Sequence, residues 1–280
     1  MERFFRGVAL IVVLIALHTC ITGGVEFYTQ DRFSDEFLRK GVLGVGIGDS
    51  NFSCFLLNIG VICLWCDRKT HWLLKAVATV PILYAMTVTL STSGLISLIM
   101  ISILFILSKK NKFKAFVILL LVVLVIIATY SIYVELPAEL RLEPLDAYIE
   151  RVTEKINQLA VGDMAGATTN RSELADAYWD YFTHQTLFGI LFGGNGIAVV
   201  DGMAPHNTYI GYLLQIGIIG ALMFFGYSTI RLVQCWNNRE EDLNRKRTLL
   251  LKILCLFIAT NLSLYDGSLW AMWMYFLVMM

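Results

Sequence analysis

Long apolar runs separated by short charged segments make up most of the chain, and their lengths set the first expectation. A helix needs about 20 mainly apolar residues to cross a ~30 Å hydrocarbon core, and fewer where its ends are anchored. Runs at 7–24, 51–66, 72–90, 93–108, 114–133, 207–230, 248–263 and 268–280 meet or approach that length. The pattern predicts an all-α membrane protein, a polytopic helical bundle of about eight spans. Residues 134–206 hold no such run and are too long for a simple connection, so this stretch is expected to carry structure of its own. Within it Leu145, Ile149, Val152, Ile156 and Leu159 recur at helical spacing, with Glu150, Arg151, Glu154 and Lys155 on the other side. That predicts an amphipathic helix, lying at the membrane surface or packed on the bundle. A second helix is expected from Asn170, with Glu173 three residues later closing a capping box. Gly193, Gly194 and Gly196 then break the chain before it turns apolar again at His206-Asn207. The expected organisation is an N-terminal bundle of about five spans over 1–133, a partly helical external loop over 134–206, and C-terminal spans over 207–280.

Composition agrees with lipid as the solvent. Hydrophobic residues make up 57% of the chain and charged residues 16%, and the mean hydropathy is +0.67. Soluble domains hold about a quarter charged residues. A net charge of zero, from 22 basic and 22 acidic residues, implies no general polyanion-binding surface, and no nucleic-acid partner is expected. The distribution of the basic residues says more. With the N-terminus inside, the inner segments hold 15 of them and the outer segments 7. Every short inner loop is then basic, as the positive-inside rule requires. This orientation places 25–50 and 134–206 outside. The first run has no clear small-x-small cleavage site, and many spans follow it, so it reads as a span and not as a cleavable signal. Cys63 and Cys66 form a CxxC, but no second Cys/His pair stands at ligand spacing, so all six cysteines read as small buried hydrophobes and no metal site is expected.

Familiar soluble chemistries are missing. The chain has no P-loop, GxSxG, HExxH or dinucleotide fingerprint, and no Asp-x-Asp to hold a metal with a sugar nucleotide. Attention therefore falls on polar groups of the outer face. His206 stands where a polar loop becomes an apolar run. It reads either as a water-facing residue beside a cap (Asn207) and an interfacial aromatic (Tyr209), or as an imidazole poised to take a proton or stabilise a phosphate. Arg171, one residue after the expected cap, is either solvated or a bidentate phosphate ligand. A cation there is slightly unfavourable for the helix, which favours a specific role. Arg39 and Lys40 are either interface anchors or part of the same site. Such groups on one face of a lipid-embedded protein would suit a lipid-linked diphosphate.

The run from Phe192 to Phe225, FGGNGIAVVDGMAPHNTYIGYLLQIGIIGALMFF, resembles the signature of the O-antigen ligase and polymerase family. It has a glycine-rich stretch, a His-Asn-x-Tyr element and a Gly-x-x-Gly, here Gly217 to Gly220, inside the following span. Asn170-Arg171 followed by Ala177-Tyr178-Trp179 resembles the family's external arginine helix. Arg39-Lys40-Gly41 through Asp49-Ser50-Asn51 resembles its Arg-x-x-Gly and Asn element. The matches keep the family's order over about 39–230. Two departures stand out. Where the family often has Ser-Arg-Gly, this chain reads Ser91-Thr92-Ser93-Gly94, leaving Ser93 to bind a phosphate or a helix backbone. The chain is also shorter than a family of ten or more spans, and we read it as a fragment, a truncated reading frame or a minimal member.

The resemblance implies a bacterial plasma-membrane glycosyltransferase whose donor is a polyprenyl-diphosphate-linked glycan, acting on the outer face without metal, nucleotide or other cofactor. It implies catalytic roles for His206, which would position or deprotonate the acceptor hydroxyl, and for Arg171, which with Arg39 would neutralise the leaving diphosphate. Lys40, Asn207, Tyr209 and Ser93 would contact substrate. Two family reactions fit. A polymerase extends the repeat units of an O-antigen, capsule or exopolysaccharide, and a ligase moves the finished glycan to a lipid or protein. We favour the polymerase, because departures from the pattern are common where substrates vary. A flippase and a chain-length regulator of the same pathway are the expected partners. A transporter or flippase is the competing class. It would carry ionisable or helix-breaking residues at mid-membrane depth, whereas here Lys75 lies near an inner end and Pro81 is the only proline well inside a span.

Overall fold

A computed structural model of the chain describes residues 2–29, 37–41, 50–107, 112–163, 166, 171–196, 200, 205, 207–237 and 243–258. The described residues fall into two compact units. One runs up to Arg151 and takes in Asn238–Leu250; the other is Val152–Asn237 with the residues from Leu251 on.

In the first unit the apolar runs become helices within a few residues of the expected bounds: α1 (Glu2–Thr22), α2 (Ser50–Trp65), α3 (Trp72–Val88), α4 (Thr92–Leu107) and α5 (Lys112–Glu135). α1 packs on α2 and α3, α2 on α3 and α4, and α4 on α5. Close approach depends on small residues. A Cβ at Gly60 of α2 would strike Val12 of α1, and one at Gly94 of α4 would strike Cys54 of α2, the small-residue packing expected where lipid supplies no hydrophobic drive between helices. The outer faces stay apolar: Leu10, Ile11, Leu14 and Leu17 of α1 and Val77 and Val80 of α3 are exposed, as lipid-facing side chains are. The 25–50 stretch, expected only as a loop, contains an antiparallel hairpin of β1 (Val25–Thr29) and β2 (Phe37–Gly41), so the fold is helical with one small hairpin. An open edge is tolerated outside the hydrocarbon but not within it.

This unit is polarised end to end. At one end Arg6 grips Asp67 through Nη2 to Oδ1 at 2.9 Å and Nε to Oδ2 at 3.3 Å, and Lys75 Nζ donates to the carbonyls of Trp65 (3.2 Å) and Asp67. Lys246 lies 4.2 Å over Phe105, and Arg247 lies 3.7 Å over Phe5. Burial alone would raise the Asp67 carboxyl. Hydrogen bonds from Arg6, Thr70 and the Lys69 amide outweigh it and hold the group well below the usual carboxylate range. Along α1, Cys20 Sγ reaches the Pro81 carbonyl of α3 at 3.8 Å. With Arg6 meeting the turn before α3, this fixes α1 and α3 as running one way and α2 the other, which is the alternation successive spans require. At the other end, α3 turns into α4 through Leu90, held at φ 52°. α6 (Glu143–Ala160) begins with Glu143 and Asp146 in its first turn, where acids favour a helix start.

In the second unit, α7 (Arg171–Thr183) and α8 (Leu187–Phe192) precede α9 (Thr208–Asn237). α10 (Leu243–Ile258), whose residues up to Leu250 belong to the first unit, follows in the chain, and the expected eighth span, 268–280, lies outside the described residues. The span expected at 207–230 is not continuous. Gly217 leaves the helical region with φ 64° and ψ −177°. Tyr209 then stacks on Phe225 at 4.7 Å, and Tyr212 on Phe224 at 4.9 Å. In a straight helix Tyr209 and Phe225 would stand about 24 Å apart at 1.5 Å per residue. α9 is therefore a helical hairpin, with a first arm over 208–216 folded back on a second arm over 218–237.

Candidate functional site

The polar end of the first unit is built from three segments that lie far apart in sequence. Asn51, in the first turn of α2, offers Oδ1 to the hydroxyls of Ser91 (2.6 Å) and Ser93 (2.8 Å), which flank the start of α4. Ser91 Oγ also accepts from the Gly94 amide at 3.2 Å, capping α4. From α6, the Tyr148 hydroxyl donates to the Ser91 carbonyl at 3.1 Å. Burial pushes the Tyr148 phenol above its ordinary value, so it remains a donor across the neutral range. About two turns into α2, the fully buried Asn58 donates Nδ2 to the carbonyls of Cys54 (3.0 Å) and Gly94 (3.1 Å). These bonds tie α2, α4 and α6 into one node. Ser93, expected to bind substrate or backbone, spends its hydroxyl on Asn51.

In the second unit the glycine-rich stretch and the α9 hairpin interlock. The amides of Gly194 and Asn195 donate to the carbonyls of Gln215 (2.9 Å) and Leu214 (3.1 Å) at the end of the first arm, groups a broken helix would otherwise leave without partners. The contact is backbone on backbone. A Cβ at Gly193 would strike Gln215, and one at Gly217 would strike Leu191. Both residues also have positive φ, 76° and 64°, so glycine is required twice over. At the opposite end of the first arm, Asn207 Oδ1 accepts from the amides of Tyr209 (2.9 Å) and Ile210 (3.2 Å), an N-cap as expected. Tyr209 is held by its ring on Phe225 and by its hydroxyl, which donates to the Leu256 carbonyl at 2.6 Å. The first arm docks through Leu214 on Tyr178 and Phe182 of α7, so the helix that starts at Arg171 and the arm that starts after Asn207 share one core.

Of the residues singled out in the sequence, Asn207, Tyr209 and Ser93 have the placements just described. Arg171 is the first residue of α7, and Arg39 and Lys40 sit in β2 opposite Phe27 and Glu26. His206 lies outside the described residues, as does Asn170 with its expected capping box. Three polar residues had gone unremarked as individuals. Tyr148 was hidden because it sits among the apolar positions of an amphipathic helix. Asn58 is a lone amide inside an apolar run, which is itself a signal, since a buried amide in a span needs partners. Asn195 stands within the glycine-rich stretch, and its buried Nδ2 has no hydrogen-bond partner among the described residues.

Apolar helices that turn large side chains outward, two of them long and apolar enough to cross a membrane, are those of a membrane protein. The O-antigen ligase family matches residues 77–225, just over half of the chain, and the chain belongs to that family. It is an O-antigen ligase/polymerase-type membrane enzyme, a class whose substrate is a lipid-linked glycan. The match runs from α3 through the polar node, α6, α7 and α8 to Phe225, the residue that closes the α9 hairpin; Arg39 and Lys40 fall before it. No curated protein and no solved structure matches the chain.

Proposed function

We propose that this enzyme polymerises polyprenyl-diphosphate-linked oligosaccharide repeat units of a surface polysaccharide, O-antigen, capsule or exopolysaccharide, on the outer face of the bacterial plasma membrane. The observation that supports this most is the family match through the His206-Asn207 block, whose Asn207 caps a buried helical arm packed on the Arg171 helix. In the reaction, an acceptor sugar hydroxyl attacks the anomeric carbon of the donor. The bond from that carbon to the diphosphate oxygen breaks, and polyprenyl diphosphate leaves with the electron pair. His206 takes the hydroxyl proton, an effect worth roughly 10²–10⁴-fold in rate. Arg171, and by the same reading of the sequence Arg39, supplies charge that neutralises the departing diphosphate, an effect that is strong where water is excluded. The energy comes from the glycosyl–diphosphate bond that breaks, so no metal or nucleotide enters the scheme. Membrane lipid surrounds the spans, and a flippase that delivers donor and a regulator that sets chain length are the proposed partners.

A ligase shares this chemistry and differs only in the acceptor, a lipid or protein in place of a second repeat unit. The family's own description as O-antigen ligase keeps that reading in view, whereas the missing span arginine at Ser91–Gly94 favours the polymerase. The test is to compare wild type with His206→Ala and Arg171→Ala. Both variants should insert and fold as wild type does and lose at least about 10²-fold in turnover. Wild-type turnover in His206→Ala would remove the histidine from the mechanism. A ladder of glycans on polyprenyl diphosphate marks the polymerase. A single transfer that appears only when a separate lipid or protein acceptor is supplied marks the ligase.

A further inference from the structure

We infer that the first arm of α9, residues 208–216, is a re-entrant half-helix, and that its Asn207 end lies about 12 Å beneath the outer surface of the membrane. This deepens the proposed function, since it places the step that handles the donor's diphosphate at that depth and not in the headgroup layer. The measure is the second arm. Residues 218–237 extend about 30 Å at 1.5 Å per residue, the thickness of the hydrocarbon core, so Gly217 marks one membrane surface and Asn237 the other. Arg231, Arg239, Arg245, Lys246 and Arg247 follow one another around the Asn237 end of the sequence, which assigns that end to the cytoplasm and Gly217 to the outer surface. Tyr209 is level with Phe225 through their ring contact. It is therefore eight residues, or about 12 Å, below Gly217 along both arms.

The two arms differ as an inner half-helix and an outer span should. On the first arm Thr208, Gly211, Tyr212 and Leu214 are buried. On the second, Leu222 and Met223 are 68% and 73% exposed, and Ile230 and Val233 are also open, as lipid-facing residues are. Broken helix ends survive at membrane depth only where their polar groups are satisfied within the protein. That condition is met at both ends of the first arm, by Asn207 Oδ1 at the start and by the Gly194 and Asn195 amides at the finish. A diphosphate normally rides at the headgroup level, so the donor must be drawn down by roughly 12 Å, or reached through a water-filled funnel, before transfer.

The test uses the full chain in membranes with its six native cysteines replaced. Tyr209→Cys with Phe225→Cys, and separately Tyr212→Cys with Phe224→Cys, are oxidised with copper phenanthroline. The hairpin predicts a disulfide in at least one pair and none in a Tyr209→Cys with Val233→Cys control. Nitroxides at the exposed positions Leu222, Tyr227 and Val233, where no packing is lost, report depth without relying on the cysteine pairs. Oxygen collision should peak near Tyr227, the middle of a span running from Gly217 to Asn237. Failure of both pairs to cross-link in monodisperse protein, or the lack of a peak at Tyr227, overturns the inference. Neither readout requires activity. A confirmed hairpin in a protein without glycan transfer would fault the proposed reaction alone, and transfer without the hairpin would fault the inference alone.

Discussion

Asn51 accepts two hydroxyls through one oxygen, so its loss would leave Ser91 and Ser93 without their shared acceptor in a buried site. Asn51→Ala is expected to destabilise the protein by about 1–3 kcal/mol, read as a lower unfolding midpoint in detergent. Asn207→Ala removes a helix cap and should cost about 1 kcal/mol, with Asn207→Asp retaining most of the stability. Asp67 links stability to pH. Its carboxyl titrates lower in the folded chain than in the unfolded one, so its contribution is complete above the unfolded value of about 4 and fades as pH falls below that toward the folded value. Arg6→Ala should shrink this acid-side loss, leaving the part that the Thr70 and Lys69 hydrogen bonds contribute. An unchanged acid unfolding profile in Arg6→Ala would show that the pair contributes nothing. At this scale the sequence was partly legible. Asn207 could be read as a cap from its place at a polar-to-apolar boundary. Asn51, Ser93 and Tyr148 could not be joined, because the bonds linking them cross some 40 to 57 positions of chain.

At the scale of elements, periodicity and run length located α1 to α5 to within a few residues, since apolar runs of span length have few other ways to fold in lipid. The same logic misjudged 207–230, where an apolar run long enough for one span conceals two arms. Hydropathy records burial and is blind to direction. The clue lay in Gly217 and in Gly193, each of which makes a contact and adopts a backbone angle that only glycine allows. Gly193→Ala and Gly217→Ala should each cost at least about 2 kcal/mol and abolish activity, since each combines a backbone collision with positive φ. Gly194 has positive φ but open space around its α-carbon, so Gly194→Ala should cost only about 1 kcal/mol. Gly226, unobstructed in the second arm, should accept alanine with no loss. Equal tolerance at Gly217 and Gly226 would rule out the hairpin packing.

Across the whole molecule, charge and polarity segregate. In the first unit, cations and the strongly ionised Asp67 carboxylate gather at one end, and a neutral hydrogen-bonded node with Tyr148 occupies the other. The positive-inside rule anticipates such an arrangement, and the family match makes the chain an O-antigen ligase/polymerase-type membrane enzyme. Sugar, linkage and acceptor leave no trace in such a pattern, because a glycan is recognised by a few polar contacts that hydropathy does not record. The most direct measurement is to give purified protein in liposomes a polyprenyl-diphosphate-linked oligosaccharide, with no nucleotide sugar or metal added, and follow release of free polyprenyl diphosphate. Wild type should release polyprenyl diphosphate together with longer lipid-linked glycans, and His206→Ala should lose that release. Folded wild-type protein that leaves the donor intact with repeat-unit, lipid and protein acceptors all present, or equal release by His206→Ala, would contradict the proposed reaction.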